Sequence, residues 1–265
     1  MRDTVPVDGV DPESRDFVQS LARGLDVIRA FSSDTQVLPL SGVCEKTGLT
    51  RATARRFLLT LVGRGYIGTD GRLFWLMPRV LELGFSYLSA FAVPELALPH
   101  LERLVFEVGE SSEMAVLDGT EVVYVLRVVG PRFMTVSINV GSRMPAHLTA
   151  LGRVLLADLP EHEFADYLAA FQRAHPAAAK GKDEAALRRA VSQARDAGWA
   201  SVDQELEEGL LAIAAPVRDS TGRVIVAAGI STHAARRNLQ SLQEDLVPAL
   251  LATVRNIEAA LHPVA

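Results

Sequence analysis

Arg51, Thr53, Arg55, Arg56 and Thr60 lie in a segment whose apolar residues Ala54, Phe57, Leu58 and Leu61 recur at the spacing of one helical face. At about 100° per residue, the side opposite that stripe carries Ala52, Thr53, Arg56 and Thr60, with Arg51 and Arg55 flanking it. Small and cationic side chains on one helix face suit a DNA groove. Arginine bonds a guanine edge through two parallel donors or neutralises a phosphate, and threonine does either more weakly. The plain alternative is a solvated basic helix face, which is common.

The elements around this face must make a reading unit of it. Residues 40–61 read as a helix, a glycine turn and a second helix: Val43 and Cys44 fill the inner face, Gly48 permits the turn, Leu49 plugs the corner and Thr50 caps the second helix. Immediately after it, Asp70-Gly71 sits between two short β-type runs, a strong hairpin signal, and sets Arg72 at the tip. A hairpin in that position is a wing whose Arg72 meets DNA phosphate, whereas the same turn elsewhere would mark only a surface hairpin. A preceding helix is expected over residues 17–31, with Leu21, Leu25, Ile28 and Phe31 inward. A linker helix is expected from Pro78, with Val80, Leu83, Leu88 and Phe91 forming an apolar seam for a second copy of the chain.

Charge is divided along the chain. Residues 17–79 carry nine Lys/Arg against four Asp/Glu, residues 1–16 two against five, and residues 80–265 sixteen against twenty-three. A basic small domain joined to an acidic larger one fits double-stranded DNA at one end and a small partner at the other, and argues against coating of nucleic acid by the whole molecule. The 265 residues suit two domains, and 49% apolar content supplies two cores. No run of about 18 apolar residues and no export signal is present, so neither a membrane partner nor export is expected, and the cytoplasm is the expected location. Cys44 is the only cysteine and reads as a small core residue. Residues 1–16 show no periodicity and read as a disordered tail.

Beyond the linker the pattern changes. Helices are expected over 96–108, 149–159, 183–197 and 239–261, and strands over 113–117, 121–129, 133–140, 213–217 and 224–231, an α+β arrangement of helices on an antiparallel sheet. Asp203, Glu205, Glu207 and Glu208 form a local acidic run, whereas a metal site draws ligands from several elements and acid catalysis needs a buried carboxyl. Only Asp203 is taken as a candidate binding residue. Histidines 100, 162, 175, 233 and 262 are scattered without cysteine partners, so no metal and no cofactor is expected. An enzyme with an appended DNA-binding domain remains the alternative class, against which stands the lack of a nucleophile elbow, a P-loop or a dinucleotide fingerprint.

Several motifs in fixed order resemble the IclR family of transcriptional regulators: SLARGLDVIRAF (20–31), LTRATARRFLLTLVGRGYI (49–67), PRVLELGFSYL (78–88), EMAVLDGTEVVYVLRV (113–128), GSRMPAHLTALGRVLLA (141–157) and GWASVDQELEEGLLAIAAPVRDSTGRVIVAAGIST (198–232). The first three look closest to the branch controlling breakdown of aromatic acids through protocatechuate and 4-hydroxybenzoate. The resemblance implies a winged helix-turn-helix over 17–77, a linker helix over 78–93 and a GAF/PAS-like effector-binding domain over 94–265, in dimers or dimers of dimers. It implies a small carboxylate effector, here expected to be aromatic, held by Ala150, Leu151, Asp203, Leu210, Ala212, Gly229 and Ser231. The acid end would rest on Ser231 and on backbone amides at the helix start after Thr149. His147, just ahead of that helix, is either a further effector contact or a structural hydrogen-bonding residue. Arg143 could pair with the effector or tie down its own loop.

Overall fold

Gly48, at φ 68°, ends one helix in the left-handed conformation that glycine adopts without steric cost, and turns the chain toward the next. Around that turn the computed structural model, which describes residues 14–32, 34–131, 138–174 and 182–261, builds a winged helix-turn-helix. Its elements are α1 (Gln19–Arg29), β1 (Val37–Pro39), α2 (Leu40–Thr47), α3 (Arg51–Gly63), β2 (Ile67–Thr69) and β3 (Leu73–Leu76). The strands are antiparallel in the order β1-β3-β2, so the expected hairpin has a third strand.

The core of this unit packs Val27, Phe31, Leu38, Val43, Ala54, Leu58, Ile67 and Phe74, with Cys44, Leu49, Phe57 and Leu61 half-buried against it. In α1 the expected inner stripe is corrected. Leu21 and Leu25 are 64% and 47% exposed, whereas Phe31 is buried as expected and is joined inside by Val27 and Ala30. The helix is rolled so that Gly24, which has no side chain, faces Phe57. After β3, a 3₁₀ turn (Pro78–Val80) leads into α4 (Leu81–Ala90). Arg79 anchors the turn by donating to the Arg64 carbonyl (3.1 Å).

The chain divides into two compact units between Ala90 and Phe91. The second begins with α5 (Val93–Val108) and continues through β4 (Ser111–Asp118), β5 (Glu121–Val128), β6 (Arg143–Pro145), α6 (Ala150–Asp158), α7 (Glu161–Ala174), α8 (Lys182–Ala197), β7 (Ala200–Asp203), β8 (Leu210–Arg218) and β9 (Val224–His233). A single-turn α9 (Leu239–Ser241) then passes through a π turn (Leu242–Leu246) into α10 (Val247–Leu261). Neither α7 nor β7 was expected from periodicity. The anticipated strand over 133–140 falls largely on residues 132–137, outside the described residues, as do residues 1–13 of the anticipated tail.

The six strands form one antiparallel sheet in the order β6-β5-β4-β9-β8-β7. Pleating sends alternate residues to opposite sides. Ala115, Ala214 and Ala227 join the core beneath α6, built from Leu151, Val154, Leu155 and Leu156 and closed by Phe164, Tyr167, Leu168 and Phe171 of α7. The small residues on the sheet let α6 lie close. Arg143 settles one open alternative by bridging Asp118 (2.6 Å) and Glu121 (2.7 Å) across the β4–β5 hairpin, which ties its own loop down.

Candidate DNA-reading face and effector cavity

Thr50 caps α3, its hydroxyl accepting from the Thr53 amide (3.4 Å) and lying 2.9 Å from the Thr53 hydroxyl, so the start of the helix is fixed locally. Ala54 and Leu58 are buried, and Arg51, Arg55, Arg56 and Thr60 are exposed on the other side. Thr60 donates to the Arg56 carbonyl (2.8 Å), which commits its proton to the helix and leaves its oxygen outward. Among the described residues, no carboxylate pairs with Arg51, Arg55, Arg56 or Arg72. Cations held on a rigid helix without partners of their own are available to an anion.

The wing is ordered by its own turn chemistry. Asp70 accepts from the amides of Leu73 (2.7 Å) and Arg72 (2.8 Å), which hold its carboxyl below the ordinary carboxylate range. Arg72 stands exposed at that tip. In α4, residues 81–87 are exposed on every side, with Leu81, Leu83, Phe85 and Tyr87 outward.

In the second unit, a narrow cavity of about 20 Å³ lies between the start of α6 and the sheet. Ala150, Leu151, Leu210, Ala212 and Ser231, all anticipated from sequence, line it together with Glu113, Tyr124, Ile138, Leu148, Thr149, Val202 and Leu206. Thr149 caps α6, accepting from the Gly152 amide (3.0 Å). Three anticipated residues stand elsewhere. Asp203 is exposed on β7, and its neighbour Val202 turns into the cavity, because alternate strand residues face opposite ways. Gly229 lies beneath Leu151, and a Cβ there would come within 2.8 Å of the Ile213 carbonyl, so the lack of a side chain sets how closely α6 approaches. His147 packs its ring on Phe171, centroids 4.4 Å apart, outside the cavity wall.

Glu113 was not singled out from sequence. It is 3% exposed, and the Ser231 hydroxyl donates to it over 3.2 Å. Burial pushes its carboxyl up to about 7, against the opposing pull of Arg127 and the Ser231 hydrogen bond. Arg127 stands directly across from it on β5 and donates to the Ile138 carbonyl. The expected use of Ser231 to hold an acid group therefore meets a hydroxyl proton already given to another carboxyl. Burial, with Glu113 close by, also raises the Tyr124 phenol well above its usual range.

A larger hollow of about 280 Å³ lies at the other end of α6, beside Asp158, Arg195 and Arg218. Its arginines are spent on structure: Arg195 on the Ala157 and Leu159 carbonyls, Arg218 on Asp158 and the Gly222 carbonyl. The smaller cavity, lined mainly by apolar side chains with a few convergent polar groups, has the make-up of a small-molecule site.

The winged unit and the helix-covered sheet with its internal cavity together define a one-component regulator, DNA-binding at one end and ligand-sensing at the other. Family comparison agrees: residues 20–71 match the IclR helix-turn-helix domain, and residues 85–259 match the bacterial transcriptional regulator IclR C-terminal domain. The chain belongs to the IclR family of bacterial transcriptional regulators, and the enzyme alternative is set aside.

It is 38% identical to the Pca regulon regulatory protein of Pseudomonas putida over 91% of this chain and 84% of that one. It is 32% identical to the p-hydroxybenzoate hydroxylase transcriptional activator of Acinetobacter baylyi over 92% of each. Among solved structures, a putative transcriptional regulator from Rhodococcus sp. RHA1 is 50% identical, with a TM-score of 0.79 over 94% of this chain and 100% of that one. An IclR homolog of Microbacterium hydrocarbonoxydans complexed with 4-hydroxybenzoate is 28% identical, with a TM-score of 0.78 over 92% and 100%. No helix among the described residues is long and apolar enough to cross a membrane.

Proposed function

We propose that this regulator senses a small aromatic carboxylic acid and controls a catabolic operon from the cytoplasm. In this reading residues 17–77 bind operator DNA, residues 78–93 form the linker helix and residues 94–265 bind the effector. Thr53, Arg56 and Thr60 face the base edges, Arg51 and Arg55 flank them, Thr50 sets the helix start, and Arg72 of the wing meets the backbone. The observation that carries the reading of the ligand is the lining of the cavity between α6 and the sheet. Leu148, Ala150, Leu151, Leu206, Leu210 and Ala212 suit a ring, and only a few polar groups orient it.

A family relative solved in complex with 4-hydroxybenzoate, and relatives named as the p-hydroxybenzoate hydroxylase transcriptional activator and the Pca regulon regulatory protein, support the same class of ligand. The effector alters DNA affinity by binding unequally to two arrangements of paired DNA-binding domains. Pairing uses the exposed apolar residues of α4, in a homodimer or a dimer of dimers. A thermal-shift screen of small carboxylic acids tests the ligand class. Selective stabilisation by aromatic acids supports it, and stabilisation by glyoxylate or pyruvate alone overturns it.

A further inference from the structure

Among the described residues, Glu113 is the only charged side chain in the cavity wall, and it is almost completely buried there. Its neighbours set what it can accept. Ser231 donates to it from β9, Arg127 stands across from it on β5, and Tyr124 shares the cavity wall. A ligand carboxylate placed against this group, once Glu113 is ionised, would bring two anions together in a largely desolvated space, where like charges repel more strongly than in water. A ring hydroxyl is complementary at the same position, because it donates a hydrogen bond to an acceptor that is already desolvated. An unsubstituted ring edge there would leave that acceptor with Ser231 alone.

We infer that Glu113, with Ser231, reads a hydroxyl on the aromatic ring, so that the regulator selects hydroxylated aromatic acids over benzoate, with the ligand carboxylate turned away from this pair. The inference rests on the aromatic-acid reading above and adds the polarity with which the ligand lies. It reverses the assignment of Ser231 to the acid end. Selectivity follows from the general asymmetry of buried polar sites, which reject an analogue lacking the matching group more strongly than apolar pockets reject an added one.

The test is calorimetric titration of the full chain with 4-hydroxybenzoate, 3,4-dihydroxybenzoate and benzoate, for the parent, Glu113→Gln and Glu113→Leu. At pH 8, where Glu113 is ionised, the parent should prefer the hydroxylated acids by roughly 10- to 100-fold, the range of one charge-assisted hydrogen bond. Glu113→Leu should bring that preference to within about threefold while benzoate still binds, and Glu113→Gln, whose amide oxygen accepts without charge, should fall between. Retained benzoate binding by the Leu variant reports that its effector-binding unit is folded. The inference is overturned if the parent binds benzoate as tightly as 4-hydroxybenzoate, or if both variants keep the parent's preference. Failure of the underlying aromatic reading looks different: neither benzoate nor the hydroxylated acids bind the parent, which removes both.

Discussion

Ser231 on β9 donates its hydroxyl to Glu113 on β4 across 3.2 Å, and the two positions are diagonal in the strand register, Ser111 facing Ser231 and Glu113 facing Gly229. The bond joins the two central strands of the sheet at the cavity floor and keeps a carboxyl group out of water.

That burial has a pH consequence. Glu113 titrates near 7 in the fold, against 4.5 for its ordinary value. Between those values the folded chain keeps a proton that the unfolded chain releases, so stability contributed by this group is complete at acid pH and falls as pH rises toward 7. Arg127, Ser231 and Tyr124 are the groups that face it. The thermal midpoint of the parent relative to Glu113→Gln is expected to decline across that window and then level off. A difference independent of pH would mean that Arg127 keeps the carboxyl ionised throughout.

Arg56→Ala is expected to weaken operator binding. A lost bidentate base contact costs about 1 to 3 kcal/mol and falls on specific DNA only, whereas a lost phosphate contact weakens all sequences alike and flattens the salt slope. Titrations of operator and random DNA at two salt concentrations tell these apart, and equal binding by variant and parent to both removes Arg56 from the interface.

Ala212→Trp is expected to fill the cavity and abolish the ligand response while operator binding persists, since DNA reading depends on a separate core. Overpacking should lower stability by about 1 to 3 kcal/mol, which the thermal midpoint reports. Calorimetry showing ligand bound as tightly by the variant as by the parent would place the pocket elsewhere.

Light scattering without DNA should give at least twice the 28.6 kDa of one chain. Leu81 and Phe85, 74% and 68% exposed and one helical turn apart, are too apolar to be left in water on a free helix. Replacing both with glutamate should shift the mass toward the monomer. A parent that is monomeric at micromolar concentration would defeat the pairing.

The parts read directly from the sequence are those fixed by local spacing. Ala54 and Leu58 face inward, Thr50 caps α3, and Asp70-Gly71 turns the wing, because each depends on residues within about one or two helical turns. The misreadings come from longer range. Leu21 and Leu25 look like a core stripe, and only the packing of Gly24 on Phe57 shows which side of α1 faces in. Val202 and Asp203 are adjacent letters on opposite faces of β7, and the choice between them depends on pairing with β8. Glu113 opens a strand-like run and resembles a solvent-facing residue; its burial follows from β5, β9 and α6 closing over it. An acidic residue followed by four apolar or small ones (Met114, Ala115, Val116, Leu117) was the available signal.

The narrowness of the cavity has a bearing on what the cell can measure. A space of about 20 Å³ admits roughly one water molecule, so the aromatic acid proposed above would have to widen it on entering. The work of opening is subtracted from the affinity, and it sets the dose at which the regulator answers. A receptor already shaped to its ligand would bind more tightly and change nothing on doing so. In this chain the close packing of Leu151 over Gly229 would oppose that widening, and so would tie a metabolite's concentration to movement of the fold.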